Sequence, residues 1–373
     1  MTEQAASIAV VGGGIFGLTA ALRLSGHCRV TVFERRDDIL LGASWGNQNR
    51  HHLGYHYSRS AETVVQCQQS QASYAALYGD ALVDDVAAYY CVARDGSRTS
   101  PEDYLAFCDR HGLPYRREYP AEDYLRRDKV ALSLRVPEPV IDYWHLKRIV
   151  GTGVAAARTI DLRLRHEVVG GRVLPDGRKR LEVRHDGRTS THDFDAIVNA
   201  SFYDINTVLG GFGFVRRNFQ YDVKELAIIT LPTDLRVALT VMDGPFCTIV
   251  PMGRSGRFLL GHVAESVLAR NVSAETPEAS VNVSRWPRIR DASAEYFPFV
   301  RRAEFVESMF TRIVVDPGSI DDDARVSEIT AHGHGCWTLF SAKIVSCVTV
   351  ADELVREVNA YLHGQADAMA GAR

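Results

Sequence analysis

The sequence predicts an α/β fold in which a parallel-sheet domain is interleaved with an α+β domain built on an antiparallel sheet. Residues 8–34 contain an apolar strand, a glycine turn, a helix, a second strand and a final acid, which is the usual start of a Rossmann-like domain. Residues 221–265 are rich in Val, Ile, Leu, Phe and Thr and are broken at Pro232, Gly244 and Gly253. This pattern is typical of an antiparallel sheet.

The glycine turn has the spacing of a dinucleotide-binding fingerprint. Gly12 permits a tight turn after the first strand, and Gly14 lets the backbone approach a pyrophosphate. Gly17 allows the helix to pack close to the sheet, so that the helix N-terminus faces the phosphate charge. Glu34 follows about 20 residues later, where a carboxylate accepts hydrogen bonds from a ribose diol. An ordinary turn between strand and helix is the alternative interpretation.

Composition and charge are those of an ordinary soluble globular protein. The chain has 373 residues, of which 46% are hydrophobic and 24% charged, enough for two domains with large cores. Acids outnumber bases by 46 to 43, so the net charge of −3 gives no reason to expect nucleic acid or a membrane as a partner. Seven scattered cysteines form no CxxC and no zinc-type spacing. We therefore expect reduced thiols, no metal site and a cytoplasmic location.

The remaining elements follow from helix and strand signals along the chain. Ser60 begins a helical pattern that closes at Gly79, and a strand-like run covers 86–93. Ser100 and the proline after it begin a helix that stops at Gly112. A helix, a group of short strands and an amphipathic C-terminal helix are then expected, at 142–157, 160–200 and 348–362.

The two predicted domains are discontinuous in the chain. The nucleotide-binding domain is expected at 1–80, 140–210 and 315–373, and the substrate-binding domain at 81–139 and 211–314. The chain would therefore cross between the two domains several times.

A polar and aromatic segment follows the second strand of the nucleotide-binding domain. Its amide and guanidinium groups can hydrogen-bond the edge of a heteroaromatic ring, and Gly54 allows a flat group to approach closely. A hydrated, solvent-facing linker is the alternative. The polar residues concerned are Ser44, Asn47, Gln48, Asn49 and Arg50.

These motifs resemble the D-amino-acid oxidase superfamily of FAD-dependent oxidoreductases over essentially the whole chain. The glycine turn together with residues 32–35 is similar to the family's FAD fingerprint. His52-Leu53-Gly54 is similar to the His-x-Gly segment that its L-2-hydroxyglutarate and glycerol-3-phosphate members carry beside the flavin. The resemblance implies FAD as the cofactor. No cysteine lies in a matching attachment motif, so non-covalent FAD is expected.

Two further segments carry the resemblance. Residues 195–201 resemble the strand end near the pyrophosphate, where the family's usual glycine is Ser201 or Phe202 in this chain. Residues 335–344 resemble the family's Gly-Lys segment at flavin N1 and the C2 carbonyl, with Ala342 in place of the glycine. Lys343 or the end of the following helix is expected to stabilise the negative charge of the reduced flavin.

The resemblance implies a set of cofactor-binding residues that runs from the glycine turn to the C-terminal segment. The set is Gly12, Gly14, Ile15, Phe16, Gly17, Glu34, Arg35, Ser44, Asn47, Gln48, Asn49, Val168, Ala200, Ser201, Ala342, Lys343 and Ile344.

His52, Arg50 and Tyr57 are the candidate catalytic residues. A neutral imidazole such as His52 is a suitable base for the proton that a hydroxyl or ammonium substrate loses, and a core or flavin-stacking role is its alternative. Arg50 could bind a carboxylate or phosphate group of the substrate, contact the flavin, or form an ion pair in the core. Tyr57 could line the substrate pocket or simply pack in the core. His51 and His56 are weaker candidates for the same chemistry as His52.

These features predict an FAD-dependent oxidase or dehydrogenase that oxidises a C–N or C–O bond of a small polar metabolite. The metabolite would be an amino acid, a hydroxy acid or a sugar derivative, in a secondary-metabolite or sugar pathway, and hydride would pass to flavin N5. Because there is one dinucleotide fingerprint, we expect the substrate to reduce the flavin and dioxygen or another acceptor to reoxidise it. A flavin-dependent sugar-nucleotide mutase or isomerase and a redox-inactive FAD-binding protein are the alternatives. The sequence leaves the substrate and the oligomeric state open.

Overall fold

The computed structural model of the chain describes residues 5–232, 236–278, 283–319 and 323–371. The strands are β1 Ser7–Val11, β2 Arg29–Glu34, β3 Leu82–Val83, β4 Ala87–Ala93, β5 Arg116–Arg117, β6 Val130–Val136, β7 Val140–Ile141, β8 Ile160–Leu164, β9 Glu167–Val173, β10 Lys179–His185, β11 Arg188–Phe194, β12 Ala196–Asn199, β13 Phe219–Thr230, β14 Val237–Met242, β15 Cys247–Pro251, β16 Arg257–His262, β17 Val267–Ser273, β18 Glu304–Val315, β19 Glu328–Ala331 and β20 Cys336–Phe340. The helices are α1 Ile15–Leu24, α2 Ala61–Tyr78, α3 Pro101–Arg110, α4 Tyr143–Ala156, α5 Ile205–Gly211, α6 Trp286–Ser293 and α7 Cys347–Gly371.

The glycine turn follows a central strand of a six-stranded sheet with the order β19-β20-β12-β1-β2-β8. Strands β20, β12, β1, β2 and β8 run parallel, and β19 pairs with β20 as an antiparallel edge. Apolar side chains project from both faces of β1 and β2. Helices α1, α4 and α7 cover one face, and the sheet β11-β10-β9 with α5 covers the other. Burial on both faces explains the continuous apolar runs and confirms the predicted Rossmann-like sheet.

A second, larger sheet has the order β17-β13-β16-β15-β14-β4-β6-β5, with β18 along the other edge of β13. Its pairs are antiparallel, as predicted, except that β14 runs parallel to β4. The exception has a topological reason. Tight hairpin connections force neighbouring strands to be antiparallel, whereas β4 and β14 are separated by a long stretch of chain that permits either direction.

The local signals for helix starts and turns are confirmed. Ser60 and Ser100 cap α2 and α3, and the hydroxyl of each accepts a hydrogen bond from the backbone N–H of the third residue of its helix. Gly177 and Gly187 have φ angles of +81° and +74° in the turns that flank β10. The C-terminal helix α7 continues beyond the predicted end at residue 362. Within the described ranges, no helix has the length and apolar content needed to cross a membrane.

The glycine turn is a place of close backbone contact. Gly12 has φ +112°, and a methyl group there would lie 2.6 Å from the Ala200 carbonyl oxygen at the end of β12. A methyl group at Gly17 would lie 2.0 Å from the Gly12 carbonyl oxygen. Helix α1 therefore reaches the sheet only because these positions carry no side chain.

Gly17→Ala tests this contact. The added methyl group forces α1 away from the turn, so we expect the free energy of unfolding to fall by about 2 kcal/mol, measured by urea denaturation. Gly26→Ala is the matched control, since nothing lies within 4 Å of a methyl group placed at Gly26. An equal loss of stability in the two variants would contradict the packing explanation.

Candidate functional site

Two neighbouring cavities lie between the sheets. The smaller has a volume of about 660 Å³ and lies over the glycine turn, and the larger has about 810 Å³ and lies against the second sheet. They share a wall of six residues, so an elongated ligand can occupy both. The shared wall consists of Asn47, Phe202, Thr311, Ser341, Ala342 and Ile344.

The smaller cavity is organised around the Glu34 carboxylate at the end of β2. Its Oε2 accepts a hydrogen bond from the Gly13 N–H at 2.7 Å, and its Oε1 accepts one from the Arg36 N–H at 2.8 Å. The Ser44 hydroxyl accepts a hydrogen bond from the Ile15 N–H at 2.9 Å. The cavity therefore has a fixed carboxylate beside the N-terminus of α1, the arrangement that a ribose and a pyrophosphate require.

An ion pair closes one side of the smaller cavity. The Arg35 guanidinium lies 2.9 Å from the Asp204 carboxylate, and both residues line the cavity. Burial raises the pKa of Asp204, and the positive charge of Arg35 opposes that rise. Arg35 thus serves as a fixed part of the wall.

Arg50 is a buried cation at the larger cavity, with 4% of its surface exposed. Its Nη1 donates to the Tyr90 hydroxyl at 2.9 Å, and its Nη2 donates to the Thr240 and Thr248 hydroxyls. The Tyr90 hydroxyl donates in turn to the Glu138 carboxylate at 2.7 Å. Among the described residues, the buried Nε of Arg50 has no hydrogen-bond partner. An acceptor atom of a ligand would satisfy this donor.

The three histidines of this region lie in different surroundings. His52 and His56 line the larger cavity, whereas His51 packs against Tyr74 with 4.9 Å between ring centroids. Burial lowers the pKa of His51 to about 4 and that of His56 to about 3. Burial, followed by the positive charge of Lys343, lowers the pKa of His52 well below its usual range. All three imidazoles are therefore neutral near pH 7.

Lys343 and Tyr57 form one corner of the larger cavity. The Lys343 Nζ lies 4.5 Å from the centroid of the Tyr57 ring. Burial lowers the pKa of Lys343 to about 8, and the charge of Arg325 adds to the effect. The buried Tyr57 hydroxyl has no hydrogen-bond partner among the described residues. Tyr55, by contrast, is fully buried and donates to the Pro114 carbonyl, so it belongs to the packing.

Most of the predicted cofactor residues line the smaller cavity. Gln48 and Lys343 line the larger one instead. Gly17 packs α1 against the turn, and Asn49 is 1% exposed, with its carbonyl accepting the Ile141 N–H at 2.7 Å. The residues on the smaller cavity are Gly12, Gly14, Ile15, Phe16, Glu34, Arg35, Ser44, Asn47, Val168, Ala200, Ser201, Ala342 and Ile344.

Several residues of the site were missed in the sequence. Tyr90, Thr240 and Thr248 lie on β4, β14 and β15, and Glu138 lies just before β7. In the sequence they are indistinguishable from other polar residues in strands. Only the order of the strands in the sheet brings them to Arg50, so no local motif could have identified them.

FAD fits the residues that are present. The smaller cavity has glycines where its wall needs close backbone approach, a fixed carboxylate and a helix N-terminus, which suit an adenosine diphosphate moiety. The adjoining larger cavity contains buried polar nitrogens without hydrogen-bond partners in the described chain, namely Arg50 Nε and the Nδ1 atoms of His52 and His56. The described residues contain no group of three or more His, Cys, Asp or Glu placed to hold a metal ion.

Comparison with known sequences supports the same cofactor. The family model described as FAD dependent oxidoreductase matches residues 7–343. The FAD-dependent monooxygenase FPY4 of Fusarium mangiferae is 26% identical over 282 residues, covering 74% of this chain and 70% of that protein. The FAD-dependent monooxygenase kojA of Aspergillus flavus is 36% identical over 85 residues, covering 22% of this chain and 20% of that protein.

Solved structures share the fold along almost the whole chain. Glycine oxidase from Geobacillus kaustophilus has a TM-score of 0.73 at 18% identity, covering 94% of this chain and 95% of that one. The FAD-bound L-alpha-glycerophosphate oxidase from Mycoplasma pneumoniae has a TM-score of 0.74 at 15% identity, covering 96% and 95%. NikD, an amino acid oxidase essential for nikkomycin biosynthesis, has a TM-score of 0.72 at 18% identity, covering 94% of each chain.

Glu34→Ala tests the smaller cavity. The variant loses the carboxylate that lines the smaller cavity and leaves the Gly13 N–H without its acceptor. We expect the dissociation constant for FAD to rise at least about tenfold, measured by flavin fluorescence. Glu353→Ala, on an exposed position of α7, is the control and should bind FAD as the unaltered protein does. An unchanged FAD affinity in Glu34→Ala would contradict the assignment.

Proposed function

Because the chain belongs to the DAO family of FAD-dependent oxidoreductases, we propose that it oxidises a C–N or C–O bond of a small polar metabolite held in the larger cavity. FAD supplies the two-electron acceptor when it is bound. The substrate carbon loses a hydride and its amine or hydroxyl group loses a proton, which leaves an imine or a carbonyl group. The supporting observation is that the buried Arg50, the half-buried Lys343 and neutral imidazoles line a cavity that adjoins the smaller one.

Arg50 is proposed to orient the substrate. Three hydroxyl groups fix its two terminal nitrogens, so the guanidinium does not need to be ordered when a ligand arrives. Its Nε, the guanidinium nitrogen without a hydrogen-bond partner among the described residues, is buried and is proposed to donate to an oxygen atom of the substrate. A carboxylate or phosphate group would gain most from this contact, because the hydrogen bond is then charge-assisted in a water-poor site.

His52 is proposed to accept the substrate proton. It lines the larger cavity and its depressed pKa keeps it unprotonated at neutral pH, as a base must be before the reaction. Tyr57 is proposed to form the wall beside it, with its hydroxyl and the Lys343 ammonium group offering donors to the substrate. The predicted domain at 81–139 and 211–314 would supply most of the opposite wall.

By analogy with NikD, we propose a role in the biosynthesis of a small molecule. NikD acts in nikkomycin biosynthesis, and FPY4 and kojA are FAD-dependent monooxygenases. We propose dioxygen or another carrier as the acceptor that reoxidises the flavin. The described cysteines are free, buried thiols, which suits a reducing compartment, and we propose a cytoplasmic location.

Anaerobic mixing with candidate substrates tests the proposed oxidation. The panel consists of D- and L-amino acids, 2-hydroxy acids and sugars, and the readout is flavin absorbance at about 450 nm. We expect at least one compound to bleach the flavin without any added reductant. The Arg50→Met variant should retain FAD, and the substrate should reduce its flavin about 100-fold more slowly than in the unaltered protein. Turnover that occurs only after external reduction, with no net oxidation of the compound, would favour the mutase or isomerase instead.

The pH profile of flavin reduction tests the proposed charge states. We expect the rate at low substrate concentration to be flat between about pH 6 and 7, because the pKa of His52 lies well below its usual range and the pKa values of His51 and His56 are about 4 and 3. Above the Lys343 pKa of about 8 the ammonium group loses its charge, so the rate for an anionic substrate should fall. Lys343→Met should bind such a substrate more weakly and lack this alkaline limb. A limb near pH 6.5 would show that a histidine titrates there.

A further inference from the structure

Phe202 combines an unusual backbone conformation with an unusual position. Its φ is +54°, in the left-handed region that favours glycine and is unfavourable for a bulky side chain. Phe202 is half-buried and lines both the smaller and the larger cavity. A strained aromatic residue therefore lies where a ligand must pass from one cavity to the other.

The backbone turn does not depend on the ring of Phe202. The Asn199 side chain at the end of β12 fixes the turn, since its Oδ1 accepts the Ser201 hydroxyl at 2.6 Å and its Nδ2 donates to the Ile205 carbonyl at 3.2 Å. A glycine at position 202 would adopt the same conformation without strain. The presence of a phenylalanine there needs a reason other than the turn.

Phe202 also differs chemically from the other residues of the shared wall. The other five shared residues are small, polar or aliphatic, so Phe202 is the aromatic member of that set. Phe202 packs against an apolar cluster that includes Tyr203, Leu209 and Phe340. This packing supports the side chain of Phe202 at the passage between the two cavities.

We propose that Phe202 is a cofactor-binding residue that holds FAD at the passage between the two cavities. Its ring supplies apolar contact surface to the cofactor where FAD leaves the nucleotide cavity, and the left-handed backbone conformation is retained because it presents the ring at that point. The inference depends on the FAD cofactor and on neither the substrate nor the reaction proposed above.

Phe214 provides a matched control. It is half-buried and packs against the same apolar cluster as Phe202, yet it lines neither of the two cavities. A substitution at Phe214 therefore reports the loss of packing alone, whereas a substitution at Phe202 reports the loss of packing and of the proposed cofactor contact.

The test measures release of FAD from the holoenzyme after dilution, followed by the rise in flavin fluorescence. We expect Phe202→Gly to release FAD at least about tenfold faster than the unaltered protein, and Phe202→Leu about threefold faster. Phe214→Leu should stay within about twofold of the unaltered protein. Thermal melting of each holoenzyme shows whether a variant is folded.

Phe202→Leu removes the aromatic ring but retains an apolar side chain. If Phe202→Gly does not fold, this variant tests whether Phe202 holds FAD. The proposal is overturned if Phe202→Leu releases FAD at the rate of the unaltered protein, or if Phe214→Leu accelerates release as much as Phe202→Leu does. Because free flavin fluorescence is the readout, neither result depends on which substrate the enzyme oxidises.

Discussion

The close contact between Gly17 and the Gly12 carbonyl oxygen is the constraint on which the cofactor site depends. It brings the N-terminus of α1 against the end of β1, and the Gly12 turn in turn lies against Ala200 at the end of β12. The Glu34 carboxylate then joins β2 to the same turn through the Gly13 N–H. Three strand ends and one helix end thus meet at a single point, where a side chain of any size would separate them.

The larger cavity depends on a different principle, the burial of a cation among hydroxyl groups. Removing a guanidinium from water is costly unless its donors find acceptors. Arg50 meets this requirement at its two terminal nitrogens through Tyr90, Thr240 and Thr248, which lie on three strands of the second sheet. The backbone of the same segment pairs with the chain near Val140. Arg50 therefore fixes the polar segment that follows β2 against the second sheet.

The sequence was most informative where a short stretch forms the whole structural unit. The turn from Gly12 to Gly17, the acid at Glu34 and the cap at Ser100 each act within a few residues of the chain or through a known strand–helix–strand spacing. The partners of Arg50 could not be predicted, because Thr240 and Thr248 reach it only through the strand order of the sheet. The parallel pairing of β4 with β14 was missed for the same reason, since it depends on a long connection.

The charges at the larger cavity explain how a neutral base lies beside the buried Arg50 and the half-buried Lys343. Burial and the charge of Lys343 both oppose protonation of His52, so the imidazole is neutral but only weakly basic in the free protein. An anionic group bound near Arg50 and Lys343 would offset their positive potential, and a nearby negative charge raises the pKa of a histidine. Under the proposed function, an anionic substrate would therefore strengthen the base that removes its proton. The same cations that select the substrate would then also set when His52 becomes reactive.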